Sequence, residues 1–237
     1  MQLGSKFGYI DATGAYVINP QFADAADFSE GLAAVYRDDM WGYIDRTGNM
    51  VINPQFDEAG LFRGGIAAVE VGASFWGGGK YGYINKTGRF VVNPQFEAVQ
   101  PFSEGIGRAY DGENYQYFTA DGKSAFTDRF KESGDYHDGL ARVERDLQWG
   151  YIGKDGRYAI NAQFGQAGDF SEGLARIRPT DRPGAAWGFI NREGTIVINP
   201  VYAEAGDFHD GRALVRTEQR WALIDKTGTV IELKLHQ

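Results

Sequence analysis

Apolar runs and the polar punctuation between them return along this chain with a spacing of 34 to 40 residues. The clearest copy, from Trp41 to Gly65, reads WGYIDRTGNMVINPQFDEAGLFRGG. Copies begin at Phe7, Trp41, Tyr81, Tyr115, Trp149, Trp187 and Trp221, the last one truncated. Self-similarity on this scale marks a repeat architecture, in which a unit buries its apolar face only by stacking on its neighbours.

Within a copy the opening segment alternates. Trp41, Tyr43 and Asp45 point to one face and Gly42 and Ile44 to the other, which predicts a strand. Aromatic and β-branched residues suit such a pleated, half-buried surface. The glycine beside each aromatic reads as room for a neighbouring ring to lie against bare backbone. A turn of the DATG, DRTG or NKTG type follows, in which Asp or Asn bonds nearby amides and the closing glycine supplies a positive φ. The second strand has three apolar residues in a row, as in Tyr16-Val17-Ile18, Met50-Val51-Ile52 and Ile196-Val197-Ile198, which predicts cover on both faces. Asn-Pro, as at Asn53-Pro54, reads as the strand's end, because proline cannot donate to a ladder.

A connector with two aromatic anchors, such as Phe22 and Phe28, leads to Ser-Glu-Gly or a variant of it and then to a third strand, GLAAV at Gly31 or GLARV at Gly139. Each unit is therefore expected to be a three-stranded antiparallel meander. The chain starts with the last two strands of a unit and leaves no spare strand to seal a ring by exchange between its termini. The expected fold is all-β, one domain over residues 1–237, built as a propeller-like array of meanders, with an open curved β-solenoid as the alternative. No segment holds a 3.6-residue period, so no helix is expected.

The recurrence of W-G-Y-I-D, N-P-Q-F and S-E-G-L-A together and in order resembles the WG repeat family of bacterial proteins. The fourth copy departs most: Tyr115-Gln116 stands for Trp-Gly, and Thr127-Asp128-Arg129-Phe130 for NPQF. The resemblance implies an all-β repeat scaffold used as a surface for binding other molecules. It implies no shared catalytic residues.

Composition narrows the functions. Asp and Glu outnumber Lys and Arg by 32 to 24, a net charge of −8. That balance argues against a sequence-independent grip on nucleic acid, which needs a basic stripe, and against docking on an anionic membrane. With no cysteine there is no disulfide, thiol nucleophile or thiolate metal site. No apolar run approaches the roughly 20 residues of a membrane span. The start, MQLGSKF, is no secretory leader, which leaves the cytoplasm and the bacterial cell envelope both open.

Catalytic patterns do not hold. Gly77-x-Gly79-x-x-Gly82 precedes a strand and opens no helix, so it reads as a hairpin loop. Ile44-Asp45-Arg46-Thr47-Gly48 has a residue too many for an aspartic-protease loop and returns as the ordinary hairpin turn. His137 and His209 replace the serine of the SEG turn, and the connector carboxylates form no D-x-D-x-D-G loop. No catalytic residue, metal site or cofactor is expected.

Two departures from the repeat point to binding. The loop from Val71 to Lys80 is longer than its counterparts and carries Phe75 and Trp76 among glycines, and the 179–186 loop is also extended. The third residue after the GL glycine is Ala34, Ala68, Arg108, Arg142, Arg176 and Leu214 in successive copies. Alternation buries the small residue before it and turns the arginine to the other face. Arg108, Arg142 and Arg176 then either form a cationic row for an acidic partner surface or pair with connector carboxylates and neighbouring Glu144. The expected function is a non-catalytic scaffold for a protein partner, such as an envelope component or a toxin, with Phe75 and Trp76 at its rim. A carbohydrate-binding module and an enzyme are the alternatives.

Overall fold

Alternating side chains and Asp-Gly or Thr-Gly turns fold each copy of the repeat into an antiparallel sheet of its own. The computed structural model describes residues 2–74, 77–217 and 220–231, and these hold strands and turns without a helix. They fall into two compact units, Met1–Ser124 with four sheets and Ala125–Gln237 with three.

The best-formed sheets have four strands where three are expected. Asp24–Ala25, Leu32–Arg37, Met40–Asp45 and Met50–Phe56 pair in that order. The extra strand comes out of the connector. Two residues are too few to show a period, so the pattern of the sequence cannot announce it.

Proline does not end the second strand. Met50–Phe56, Phe90–Phe96 and Ile196–Tyr202 run through it. Trp41 pairs with Phe56 and Tyr43 with Ile52, so four steps on one strand match two on the other, which is a bulge. The strand lies at the sheet edge, where proline's missing donor is tolerated. The bulge also corrects the role of the Trp-Gly glycine. A Cβ on Gly42 would lie 2.6 Å from the Ile52 carbonyl oxygen and 2.7 Å from the Pro54 nitrogen. The glycine admits the bulged backbone of the partner strand, not a ring. Where NPQF is lost the glycine is lost too: Gln116 stands in Tyr115–Thr119, the last strand of its sheet.

The edge position corrects the expected cover on both faces as well. Val17, Val51 and Val197 are 56%, 45% and 43% exposed, while Ile18, Ile52 and Ile198 between them and the bulge are buried.

Within each unit the core lies between successive sheets, which pack face to face as the blades of a propeller do. Tyr43, Ile52 and Phe56 of one sheet meet Ala67, Val69 and Ile84 of the next in the first unit. Phe189, Ile198 and Tyr202 meet Ala213, Val215 and Ile224 in the second. Each such large side chain contributes about 1.5–3 kcal/mol on burial. The phenols of Tyr43 and Tyr151 donate to the Gly60 and Gly168 carbonyls, both at 2.7 Å, so burying them leaves no orphaned hydroxyl.

Polar ties join the repeats at their turns. The Asp45 carboxylate accepts from the Thr47 amide at 2.8 Å and the Asn49 amide at 3.0 Å, the turn closure expected of DRTG. Glu30 sits in the left-handed region at φ 51° and aims its carboxylate at the following repeat. It accepts from the Gly64 and Gly65 amides at 2.6 and 2.9 Å, and Lys86 Nζ lies 3.1 Å away. Glu172 repeats the clasp with the Gly211 amide at 2.9 Å and Lys226 at 3.1 Å. Lys86 and Lys226 first, and the amides with them, hold both carboxyls below the usual glutamate range.

Candidate functional site

The arginine position is where the copies of the repeat differ. In the second unit Ala141 and Val143 face the core, and alternation sends Arg142 to the opposite face of Ala141–Arg145. The connector of the next repeat lies over that face. Arg142 Nε donates to Asp169 Oδ1 at 2.8 Å and Nη1 to the Ala167 carbonyl at 2.9 Å. Its guanidinium stands 5.1 Å over the Trp149 ring. Arg176 repeats the arrangement one copy later: Nη1 donates to the Ala205 carbonyl at 2.7 Å, and the guanidinium lies 5.3 Å over Trp187. Its Nε is 2.9 Å from Asp207 Oδ1, close enough for an ion pair although not aligned as a hydrogen bond. Both side chains are about one-third exposed, at 32% and 33%.

These two arginines are thus engaged by connector carboxylates, the pairing reading of the sequence. Alternation gives the face correctly, but not what covers it, because Asp169 comes from 27 residues further along. Glu144 is not the partner in either ion pair. Arg108 belongs to the first unit, where its guanidinium stands 4.7 Å over the Tyr115 ring. Phe75 and Trp76 lie outside the described residues, as does His236. The stem of their loop is held by carboxylates: Glu70, 7% exposed, accepts from the Gly79 amide at 2.6 Å, and Asp57 from the Ala73 amide at 2.9 Å. His137 and His209 are exposed on their turns, and no group of three or more metal-ligating side chains occurs among the described residues.

Carried back to the first unit, the register of Arg142 reaches Ala68. Counting from the connector phenylalanine (Phe102 for Phe170), Pro101 takes the place of Asp169 and Val99 that of Ala167. Tyr81 stands for Trp149, and Gly60 for Gly134. Both members of the ion pair are therefore missing at once. A cleft of about 400 Å³ opens there, lined by Trp41, Tyr81, Glu58, Gly60, Ala68 and Pro101, with Val99 beside them. A smaller hollow of about 100 Å³ shares Gly60, Ala68 and Pro101 with it and has Arg63 in its lining. Tyr81 donates its hydroxyl to Glu58 Oε2 at 2.7 Å. Burial first, then that bond and the charges of Glu58 and Glu70, push the phenol well above its ordinary range.

Absence of the arginine alone does not make a cleft. Ala34 also lacks it, but Ala34 is fully buried in the core cluster that includes Phe62, with Ala26 packed against it. In the second unit a shallow hollow of about 560 Å³ lies between the 146–148 turn and the extended 179–183 loop, without an aromatic wall. The residues that line the Ala68 cleft are not apparent from any single copy. The paired loss of Arg and Asp is not sufficient as a signal, because Ala34 with Leu61 shows it too and packs shut against Phe62; the packing across repeats decides which copy stays open.

A family model described as "WG containing repeat" matches residues 7–40, 41–73, 81–115, 149–178 and 187–221. Among solved structures, the chain is similar to Kluyveromyces lactis Hsv2, with 9% identity over 84% of this chain and 73% of that one and a TM-score of 0.46. It is similar to a eukaryotic initiation factor, with 12% identity over 95% and 81% and a TM-score of 0.42. It is also similar to the extracellular domain of a putative hybrid two component system from B. thetaiotaomicron, with 10% identity over 94% and 36% and a TM-score of 0.35. No curated protein matches the chain.

Proposed function

The chain belongs to the family of proteins built from the WG containing repeat, and from that premise we propose that it is a non-catalytic scaffold whose first unit binds a protein partner in the cleft between Trp41 and Tyr81. The observation that carries this reading is the cleft itself, a concave, aromatic-lined site of about 400 Å³ on a repeat that elsewhere fills the same place with its own arginine. Aromatic side chains in a preformed hollow make strong anchors, because they contribute large area at small conformational cost.

Against catalysis stands the engagement of the candidate groups. The Asp11, Asp45 and Asp225 carboxylates each accept from the Thr of their own turn, which lowers their pKa. Against an acidic partner on the arginine row stand the carboxylates already paired with Arg142 and Arg176, which such a partner has to displace. A carbohydrate ligand is the second reading, favoured by two aromatic rings at one cleft.

The test compares the wild-type chain with Ala68→Trp, which fills the cleft, as baits in native lysate and on a glycan array. A protein captured by the wild type and lost with the filled variant supports the proposal. Loss of a glycan selects the carbohydrate reading, and identical profiles for both baits overturn both.

A further inference from the structure

The second unit shows which chemical group this fold seats at the position. Arg142 and Arg176 place a guanidinium over the Trp-Gly aromatic, against a carboxylate and a connector carbonyl. A planar guanidinium stacks on an aromatic face while its edge donates to carboxylate and carbonyl, which a lysine ammonium cannot do in one geometry. The cleft over Ala68 keeps the aromatic, as Tyr81, and adds Trp41. It keeps Gly60, whose counterpart Gly168 lies so close under the seat that a Cβ there would stand 2.7 Å from Arg176 Cγ. It keeps a carboxylate in Glu58, whose Oε2 takes the Tyr81 hydroxyl and whose Oε1 has no hydrogen bond to the chain among the described residues. It lacks the cation and, with Pro101 in the place of Asp169, takes its carboxylate from Glu58 at another position of the connector.

We propose that this cleft receives an arginine side chain presented by the protein partner, seated in trans where Arg142 and Arg176 sit in cis. The inference rests on the reading of the cleft as a protein-binding site and adds the chemistry of the ligand. Charge fits the occupant. Glu58 lines the cleft beside the rings, Glu70 stands opposite Tyr81 on the neighbouring strand, and the chain as a whole has a net charge of −8. Arg63 lines the adjoining hollow and not the cleft itself, so the cation is seated on the Tyr81 side. The volume, larger than one side chain needs, leaves room for the flanking backbone. Steering by opposite charge makes the association faster at low salt.

The probe is the tripeptide acetyl-Gly-Arg-Gly-amide, titrated into the full chain and followed by the indole N–H resonances in nuclear magnetic resonance. The expected result is a saturable shift of the Trp41 resonance with Trp149 and Trp187 unmoved. The citrulline tripeptide, uncharged but of the same shape, and the lysine tripeptide are expected to bind at least fivefold more weakly. Glu58→Gln is expected to weaken the arginine peptide about tenfold, because a charge-assisted bond is lost. The double variant Ala68→Arg, Pro101→Asp places the chain's own strut in the seat and should show no saturable shift while remaining as heat-stable as the wild type. Equal affinity for arginine and citrulline peptides, or unchanged binding in the folded double variant, overturns the inference. If the arginine probe fails at Trp41 while Ala68→Trp still loses its captured protein, the cleft binds a protein without an arginine. That outcome sinks this inference and spares the reading beneath it. If both fail, both fall.

Discussion

The seat of Arg142 in the second unit and the cleft over Ala68 in the first are built at the same register positions, one occupied and the other open. Both use an aromatic on the Trp-Gly strand and a glycine in the connector. The differences that remove the ion pair are Arg142 with Asp169 against Ala68 with Pro101. The lesson is that a repeat fold makes a site by omission. The framework is held elsewhere, by the sheet cores and turn clasps, so a strut can be withdrawn from one copy without unfolding it. The strut that remains in another copy records the shape and charge of what the empty seat accepts.

What the two regions share should break hardest. Gly42→Val or Gly150→Val drives a side chain into the bulged edge strand, where even a Cβ would lie about 2.6 Å from a carbonyl oxygen. Each should cost about 3 kcal/mol, the upper end for overpacking. Ala222→Gly, in the copy that already carries a Cβ at this position, should change stability by less than about 1 kcal/mol. Denaturant melts of the three variants check this, and equal losses would show that glycine and bulge are unrelated.

The difference between the regions comes next. Arg142→Ala removes a packed stem, a ring contact and two hydrogen bonds, and should cost about 1–3 kcal/mol in the same melts. A loss below about 0.5 kcal/mol, the range of an ordinary surface change, would make Arg142 a solvent-facing residue free to serve a partner.

The smallest effect is the pH dependence of the turn clasps, present in both units. Glu30 and Glu172 have carboxyls depressed below their unfolded values, so their contribution is complete above the unfolded glutamate pKa of about 4.3. It is lost as pH falls through the depressed folded value. Glu30→Gln should therefore lower the melting temperature at pH 6, by an amount that shrinks as the pH falls below the unfolded glutamate value. A difference that persists in acid would assign the loss to shape, not charge.

Much of this was legible in the sequence, and the boundary has a physical cause. Strands, turns and the order of elements follow from contacts within one copy, where Trp41, Tyr43, Asp45 and Gly48 carry their roles locally. The Asn53-Pro54 bulge was misread as an end because proline's rule depends on whether a strand is central or at an edge. The two-residue connector strands have no period to display. The site itself is invisible in any one copy, since Ala68 is unremarkable until Pro101, from the next connector, is aligned with Asp169. What the arginines meet stays open in the sequence for the same reason: alternation chooses a face, and only tertiary packing decides what covers it.

The most direct test of the vacated seat is a double-mutant cycle at positions 68 and 101. Ala68→Arg alone leaves a cation without its aspartate, and Pro101→Asp alone leaves a carboxylate without its arginine. If the cleft is the counterpart of the Arg142 seat, the two together should be more stable than the sum of the single changes by about 0.5–1 kcal/mol, as for adjacent residues that pair. Additive effects, or a double variant less stable than either single one, would show that the cleft is not an arginine seat.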